Sequence, residues 1–214
     1  MKCPLPTHPQ RQFLRLQLMR NPLLAGLDEA QLAPLAEQVV VQEAHRGECL
    51  LEQGSRELRQ FFVLEGLVKR IVCSPQGREM TVRFAGEGDF ETCYDAWRRH
   101  DVAAYSVVCA ARCCVASLSM QEWCSFMLQH AAARQVFHER IAALGESLVE
   151  HAVGLLLLDA PSRVNAFSRQ HPSLVGRLMQ KDLASHLNLS AETLCRLSRR
   201  AELRGDLRLS EAVP

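Results

Sequence analysis

Nothing in this 214-residue sequence stays apolar for long. The longest such run, VGLLLL at 153–158, is far too short to span a bilayer. No basic segment followed by an apolar one opens the chain, so export is not expected and a cytoplasmic location is. Catalytic signatures are missing too: there is no Gly-rich phosphate loop, no HExxH helix and no GxSxG elbow. Ser, His and Asp are scattered without triad spacing, and the sequence is not expected to encode an enzyme. His130, His138 and His151 are not at i, i+4, and no zinc or other metal site is assigned. Nine cysteines are present but none as a CxxC pair. Their odd number and the expected reducing compartment argue against a disulfide framework, so most read as buried apolar thiols. Cys93 with Cys109 or Cys113 remains a candidate for redox sensing or metal ligation. A hydrophobic content of 48% with 23% charged residues is that of a folded globular chain.

What is present in strength lies near the C-terminus. The segment QKDLASHLNLSAETLCRLSRRAE, residues 180–202, carries Leu183, Leu187, Leu189, Leu194 and Leu197 where two short helices must pack together. Ala184 is small where the helices approach, and Asn188 stands where the turn needs a positive φ. Ser190 precedes AET as a helix N-cap. This spacing predicts a helix-turn-helix. The exposed face of its second helix is expected to carry Glu192, Thr193, Arg196, Ser198, Arg199 and Arg200, a mixture suited to phosphates and base edges. Residues 169–208 hold eight Lys/Arg against four Asp/Glu, a net +4, whereas the whole chain is only +1. Positive charge is therefore concentrated where double-stranded DNA would lie. An ordinary helical hairpin with a leucine core is the plain alternative.

Upstream, residues 11–38 read as amphipathic helix broken at Pro22, with Asp28 as an N-cap. From Val39 the apolar rhythm shortens to period two, punctuated by glycines, and Pro75-Gln76-Gly77 reads as a hairpin loop. Several short strands over about residues 40–120 predict a compact β-barrel or β-roll. Phe137, Ile141, Leu144, Leu148, His151, Leu155 and Leu158 then recur at alternating spacings of four and three. They predict a coiled-coil seam and a homodimer, the alternative being one long helix packed on its own domain. Asp159-Ala160-Pro161 ends that helix and forms a hinge. The fold class is α+β: an N-terminal arm (1–22), a jelly-roll-like β-roll sensor (23–130), a long dimerisation helix (131–160) and a helix-turn-helix domain (161–214).

That order, with the stretches GECLLEQG (47–54), FFVLEG (61–66), QGRE (76–79) and GEGDF (86–90), resembles the Crp/Fnr family of bacterial transcription regulators. The resemblance covers about residues 20–203. It implies a dimeric regulator controlled by an effector in the β-roll and bound to a pseudo-palindromic operator, with RNA polymerase as a partner if it activates. The family's Ser-x-Glu-Thr-x-x-Arg pattern falls on Ser190, Glu192, Thr193 and Arg196. It implies that Glu192 accepts from cytosine and Arg196 donates to guanine, with Ser190, Thr193, Arg199 and Arg200 on phosphates. The effector pocket would involve Glu91, Cys93, Arg98, Arg99, Ala103 and Ala104. Family members that bind cyclic nucleotides hold the ribose with a Glu and the phosphate with an Arg-Ser/Thr pair. Here those positions fall near Cys93 and Ala103-Ala104, so cyclic AMP is not expected. The N-terminal cysteine cluster of the iron–sulfur members is also missing. Haem, through Cys93, Tyr94 and His100, and thiol-based sensing stay open. The twelve residues after Glu202 are too few for a full β-hairpin wing. A sensor or protein-interaction module with a degenerate helix-turn-helix is the competing function.

Overall fold

The computed structural model describes residues 2–203, with side chains to Arg199. The first segment departs from the expected arm. Residues Lys2–Pro4 form strand β1, paired antiparallel with β2 (Val40–Ala44). Between them come a 3-10 turn (Leu5–Thr7), helix α1 (Arg11–Met19) and helix α2 (Glu29–Gln38). Leu5, Leu14 and Leu18 are buried in the roll's core, which ties this segment to the roll. Asp28 caps α2 as expected, in a reciprocal capping box with Gln31.

The roll continues through β3 (Cys49–Leu51), β4 (Arg59–Glu65), β5 (Val68–Cys73), β6 (Glu79–Ala85), β7 (Phe90–Thr92), helix α3 (Tyr94–Arg99), β8 (Ser106–Cys109) and β9 (Cys113–Ser119). Two antiparallel sheets result, one ordered β1-β2-β9-β4-β7 and the other β3-β8-β5-β6. The Pro75-Gln76-Gly77 hairpin joins β5 to β6, with Gly77 at φ 79°. Gly66 joins β4 to β5 at φ 86°, and a Cβ there would strike the Arg112 carbonyl. Phe62, Leu118, Met120 and Trp123 are fully buried between the sheets and α4 (Met120–Gln129), the last capped by Ser119 and Glu122.

Helix α5 (Ala131–Leu157) runs 27 residues, about 40 Å at the α-helical rise. Asp159 then accepts from the Ser162 amide and, with Pro161 in the first turn, starts α6 (Ala160–Gln170). Helices α7 (Gln180–His186) and α8 (Ala191–Leu203) follow, over the residues expected to form the helix-turn-helix. Asn188 lies between them at φ 52°, and Ser190 accepts from the Thr193 amide at 3.1 Å. No described helix is long and apolar enough to cross a membrane.

Candidate DNA-binding surface and effector pocket

Leu183, Ala184, Leu187 and Leu194 are buried with Val164, Phe167, Leu174 and Leu178 in a second core. This leaves one face of α8 in solvent. Ser190, Glu192, Arg196 and Arg199 are exposed there, and Thr193 is half-buried beside Ser190. Ser198 departs from expectation: it is buried, and its hydroxyl donates to the Leu194 carbonyl. It falls four residues after Leu194 and so shares that residue's inward side. The side chain of Arg200, and the segment expected to be too short for a wing, lie outside the described residues.

The second core also contains Leu67, Phe84 and Ala110 from the roll. The C-terminal helical unit is thus docked on the β-roll, through α7 against β6. Strand β6 is a sheet edge, with backbone groups that need partners. The Thr81 amide donates to Ser185 Oγ at 3.0 Å, and its carbonyl accepts from His186 Nδ1 at 3.0 Å. Around them Lys69 pairs with Asp182, Arg78 donates to Asn188 at 2.6 Å, and Arg177 grips Glu87 at 2.6 and 2.9 Å. His186 is packed by Phe84 and Phe167 and stacks on His151 at 3.9 Å between centroids. Burial, and then the His151 ring, push its pKa down to about 3, so it is neutral at pH 7. A cleft of about 870 Å³ opens between the 82–90 segment, α5 and α6, lined by Arg140, Arg163, His151 and His171 among others.

The residues of the expected seam on α5 lie against their own protomer at Phe137 and grow more open along the helix, to 42% exposure at Leu158. Phe137 is 1% exposed, wedged among Phe90, Tyr94 and Trp123. Ile141, Leu144 and Leu148 line a cavity of the roll, His151 stacks on His186, and Leu155 and Leu158 border the cleft. The outward register is instead Ala142, Gly145, Val149, Ala152 and Leu156, again at spacings of three and four. Val149 is 63% and Leu156 83% exposed, and Val153 and Leu157 flank them.

Behind β7 and α3 lies the second cavity, only about 140 Å³, below the range of about 300–1,000 Å³ usual for small-molecule sites. Cys93, Arg99, Ala103 and Ala104 line it, whereas Arg98 does not and instead lies over the Tyr94 ring. Glu91 is beneath the cavity and already committed. Arg70 and Arg83 both pair with its carboxylate, Arg70 Nε at 2.9 Å, and Arg83 also holds Asp89 at 2.8 Å. Burial alone would raise Glu91's pKa, but the two guanidiniums hold it below the ordinary carboxylate range. Arg70 stacks on Tyr105, with 3.9 Å from guanidinium carbon to ring centroid. Arg70, Arg83 and Tyr105 were not singled out in the sequence, because residues 13 to 35 apart carry no local spacing signal. The candidate haem ligands do not converge: Cys93 is buried, Tyr94 bonds His138, and His100 is exposed at the other end of α3. Of the three candidate cysteines, Cys109 and Cys113 meet, Sγ to Sγ, at 3.0 Å. Among the described residues no three metal-ligating side chains cluster.

Residues 41–130 match the cyclic nucleotide-binding domain family. No curated protein sequence matches the chain. Among solved structures, the c-di-GMP-responsive global regulator CLP of Xanthomonas campestris is similar with a TM-score of 0.67 and 15% identity. That match covers 86% of this chain and 96% of CLP. FixK2 of Bradyrhizobium japonicum gives a TM-score of 0.70 at 16% identity, covering 80% and 88%. A CooA mutant from Carboxydothermus hydrogenoformans gives 0.71 at 15%, covering 86% and 85%. Residues 41–130 are therefore a cyclic nucleotide-binding-type domain, set within a chain whose fold is that of the Crp/Fnr transcription regulators.

Proposed function

We propose that this chain is a homodimeric, sequence-specific DNA-binding transcription regulator whose β-roll senses a signal other than cyclic AMP. The observation that carries this reading is the α8 face. Ser190, Glu192, Arg196 and Arg199 stand in solvent on a helix whose other side is fixed by Leu194 and Ser198. A helix so held can enter a major groove, Arg196 reading guanine and Glu192 cytosine, with Ser190, Thr193, Arg199 and Arg200 on phosphates. Dimerisation through the outward stripe of α5 would set two such helices about one DNA turn apart. The docked arrangement is one state of the regulator, and the signal shifts the balance between docked and DNA-engaged states. The small cavity supports excluding a cyclic nucleotide. Arg70, one of the two arginines lining it, is already paired with Glu91 and stacked on Tyr105. No enzymatic activity is part of this reading.

Selection of bound sequences from a random duplex pool tests it. A two-fold-symmetric site is expected, and Arg196→Glu should lower affinity for that site by at least about fivefold, the lower end of losing one bidentate base contact. Binding with no sequence preference, or unaffected by the substitution, overturns the proposal and favours a module with a degenerate helix-turn-helix.

A further inference from the structure

Cys109 ends β8 in one sheet and Cys113 begins β9 in the other, with only Ala110-Ala111-Arg112 between them. Both are buried, and the Cys113 thiol donates to Cys109 Sγ at 3.0 Å. A disulfide needs sulfurs about 2.05 Å apart, so bonding draws them together by about 1 Å. The intervening turn is not passive. The Ala110 and Ala111 amides donate to the Leu67 carbonyl at 2.8 and 3.2 Å, and Ala110 and Leu67 belong to the core shared with the DNA-binding unit. Next to Leu67, the Gly66 carbonyl accepts from Arg177 of that unit, and Gly66 has no room for a side chain against Arg112. Any shift of the 109–113 turn is therefore delivered to the docking surface.

We propose that Cys109 and Cys113 form a dithiol switch, oxidised by a peroxide to an intraprotomer disulfide that changes how firmly the DNA-binding unit docks on the roll. The hydrogen bond from Cys113 lowers the pKa of Cys109, which makes Cys109 the attacking sulfur. Its thiolate attacks one peroxide oxygen, the O–O bond breaks, and the departing hydroxide takes a proton to leave as water. Cys113 sulfur then attacks the Cys109 sulfenic acid, the S–O bond breaks, and a second water leaves with the Cys113 proton. Two thiols lose two electrons and two protons, and one hydrogen peroxide becomes two waters. Burial of both sulfurs selects this small oxidant over bulky disulfides such as oxidised glutathione.

The experiment uses the reduced full chain, treated with hydrogen peroxide or, separately, with oxidised glutathione. With peroxide, free thiols should fall from nine to seven and peptide mass mapping should find Cys109 joined to Cys113. Hydrogen exchange over residues 175–190 should change at least tenfold and revert with dithiothreitol. Cys109→Ala and Cys113→Ala should each abolish both responses, whereas Cys93→Ser should retain them. If either alanine variant fails to fold, the mass map of the unaltered chain decides the chemistry. Cys109 and Cys113 remaining thiols after exposed Cys49 has reacted overturns the switch. So does glutathione disulfide linking them as fast as peroxide. A disulfide that leaves exchange over 175–190 unchanged overturns the coupling. The coupling rests on the docked state proposed above, but the disulfide itself is measured without DNA, so the two can fail separately.

Discussion

At the scale of single residues, the Glu91 site illustrates how one carboxylate can organise a pocket without being available to a ligand. It is fully buried and held by two guanidiniums, one of which is pinned on an aromatic ring. Removing its charge while keeping its shape, as in Glu91→Gln, leaves Arg70 and Arg83 underpaired in a dry interior. A loss of about 3–5 kcal/mol in unfolding free energy is expected, read by urea denaturation at pH 7. The Glu was legible in the sequence only as a residue after GDF, and its partners were not. Arg70 and Arg83 reach it from β5 and β6 of the other sheet, a juxtaposition created by the packing of one sheet on the other. Asn188, Asp28 and Ser190 were readable for the opposite reason, since their roles are set within four residues of chain.

At the scale of elements, α7 is a helix with two obligations. It must pack α8, which Leu183, Ala184 and Leu187 announce, and it also seals the open edge of β6, which nothing nearby announces. His186 is the sensitive point of that second contact. A carbonyl only accepts, so Nδ1 carries the proton toward Thr81, and the ring sits among Phe84, Phe167, His151 and His171. Its folded pKa of about 3 lies below the unfolded value of about 6.5, so between these limits the unfolded or released form binds more protons. Stability of the docked form therefore rises with pH across this window and is lost as pH falls below about 6.5. Burial lowers the pKa of His151 and His171 as well, which adds in the same direction. Hydrogen exchange of the Thr81 amide, corrected for intrinsic chemistry, should accelerate severalfold from pH 7.5 to 5.5. His186→Asn, which keeps a donor near the carbonyl, should flatten most of that slope.

Helix α5 teaches a related lesson. Two apolar stripes run along it, and the one with larger residues reads more strongly in sequence because bulk dominates a periodicity count. Bulk is also what a protomer's own core demands, so Phe137, Ile141 and Leu144 turn inward. The outward stripe is built on Ala142, Gly145 and Ala152, small enough to escape notice and to permit close approach of a second helix.

For the whole molecule, that outward stripe is the surface on which the dimeric reading depends. Leu156→Glu, with Val149→Glu as an independent second variant, should convert a dimer to a monomer in analytical ultracentrifugation. The roll should stay folded, because both side chains are more than half exposed in the protomer. Affinity for a symmetric operator should fall by at least about tenfold as the second half-site is lost. Binding by the unaltered chain should also weaken steeply with salt, as expected when several arginines displace counterions from phosphates.

The sequence by itself determined the elements whose signals are local: glycine-punctuated strands, capped helices, the leucine spacing of the helix-turn-helix, and the polar face of α8. Tertiary structure alone decided what those elements meet. It put β1 into the sheet, turned the bulky stripe of α5 inward, tied Glu91 to Arg70 and Arg83 across the two sheets, and brought Cys109 against Cys113. The physical reason is that capping and periodicity act over a few residues. Sheet order and burial compare residues more than a hundred positions apart, as Lys69 and Asp182 are, and that comparison is made only when the chain is packed.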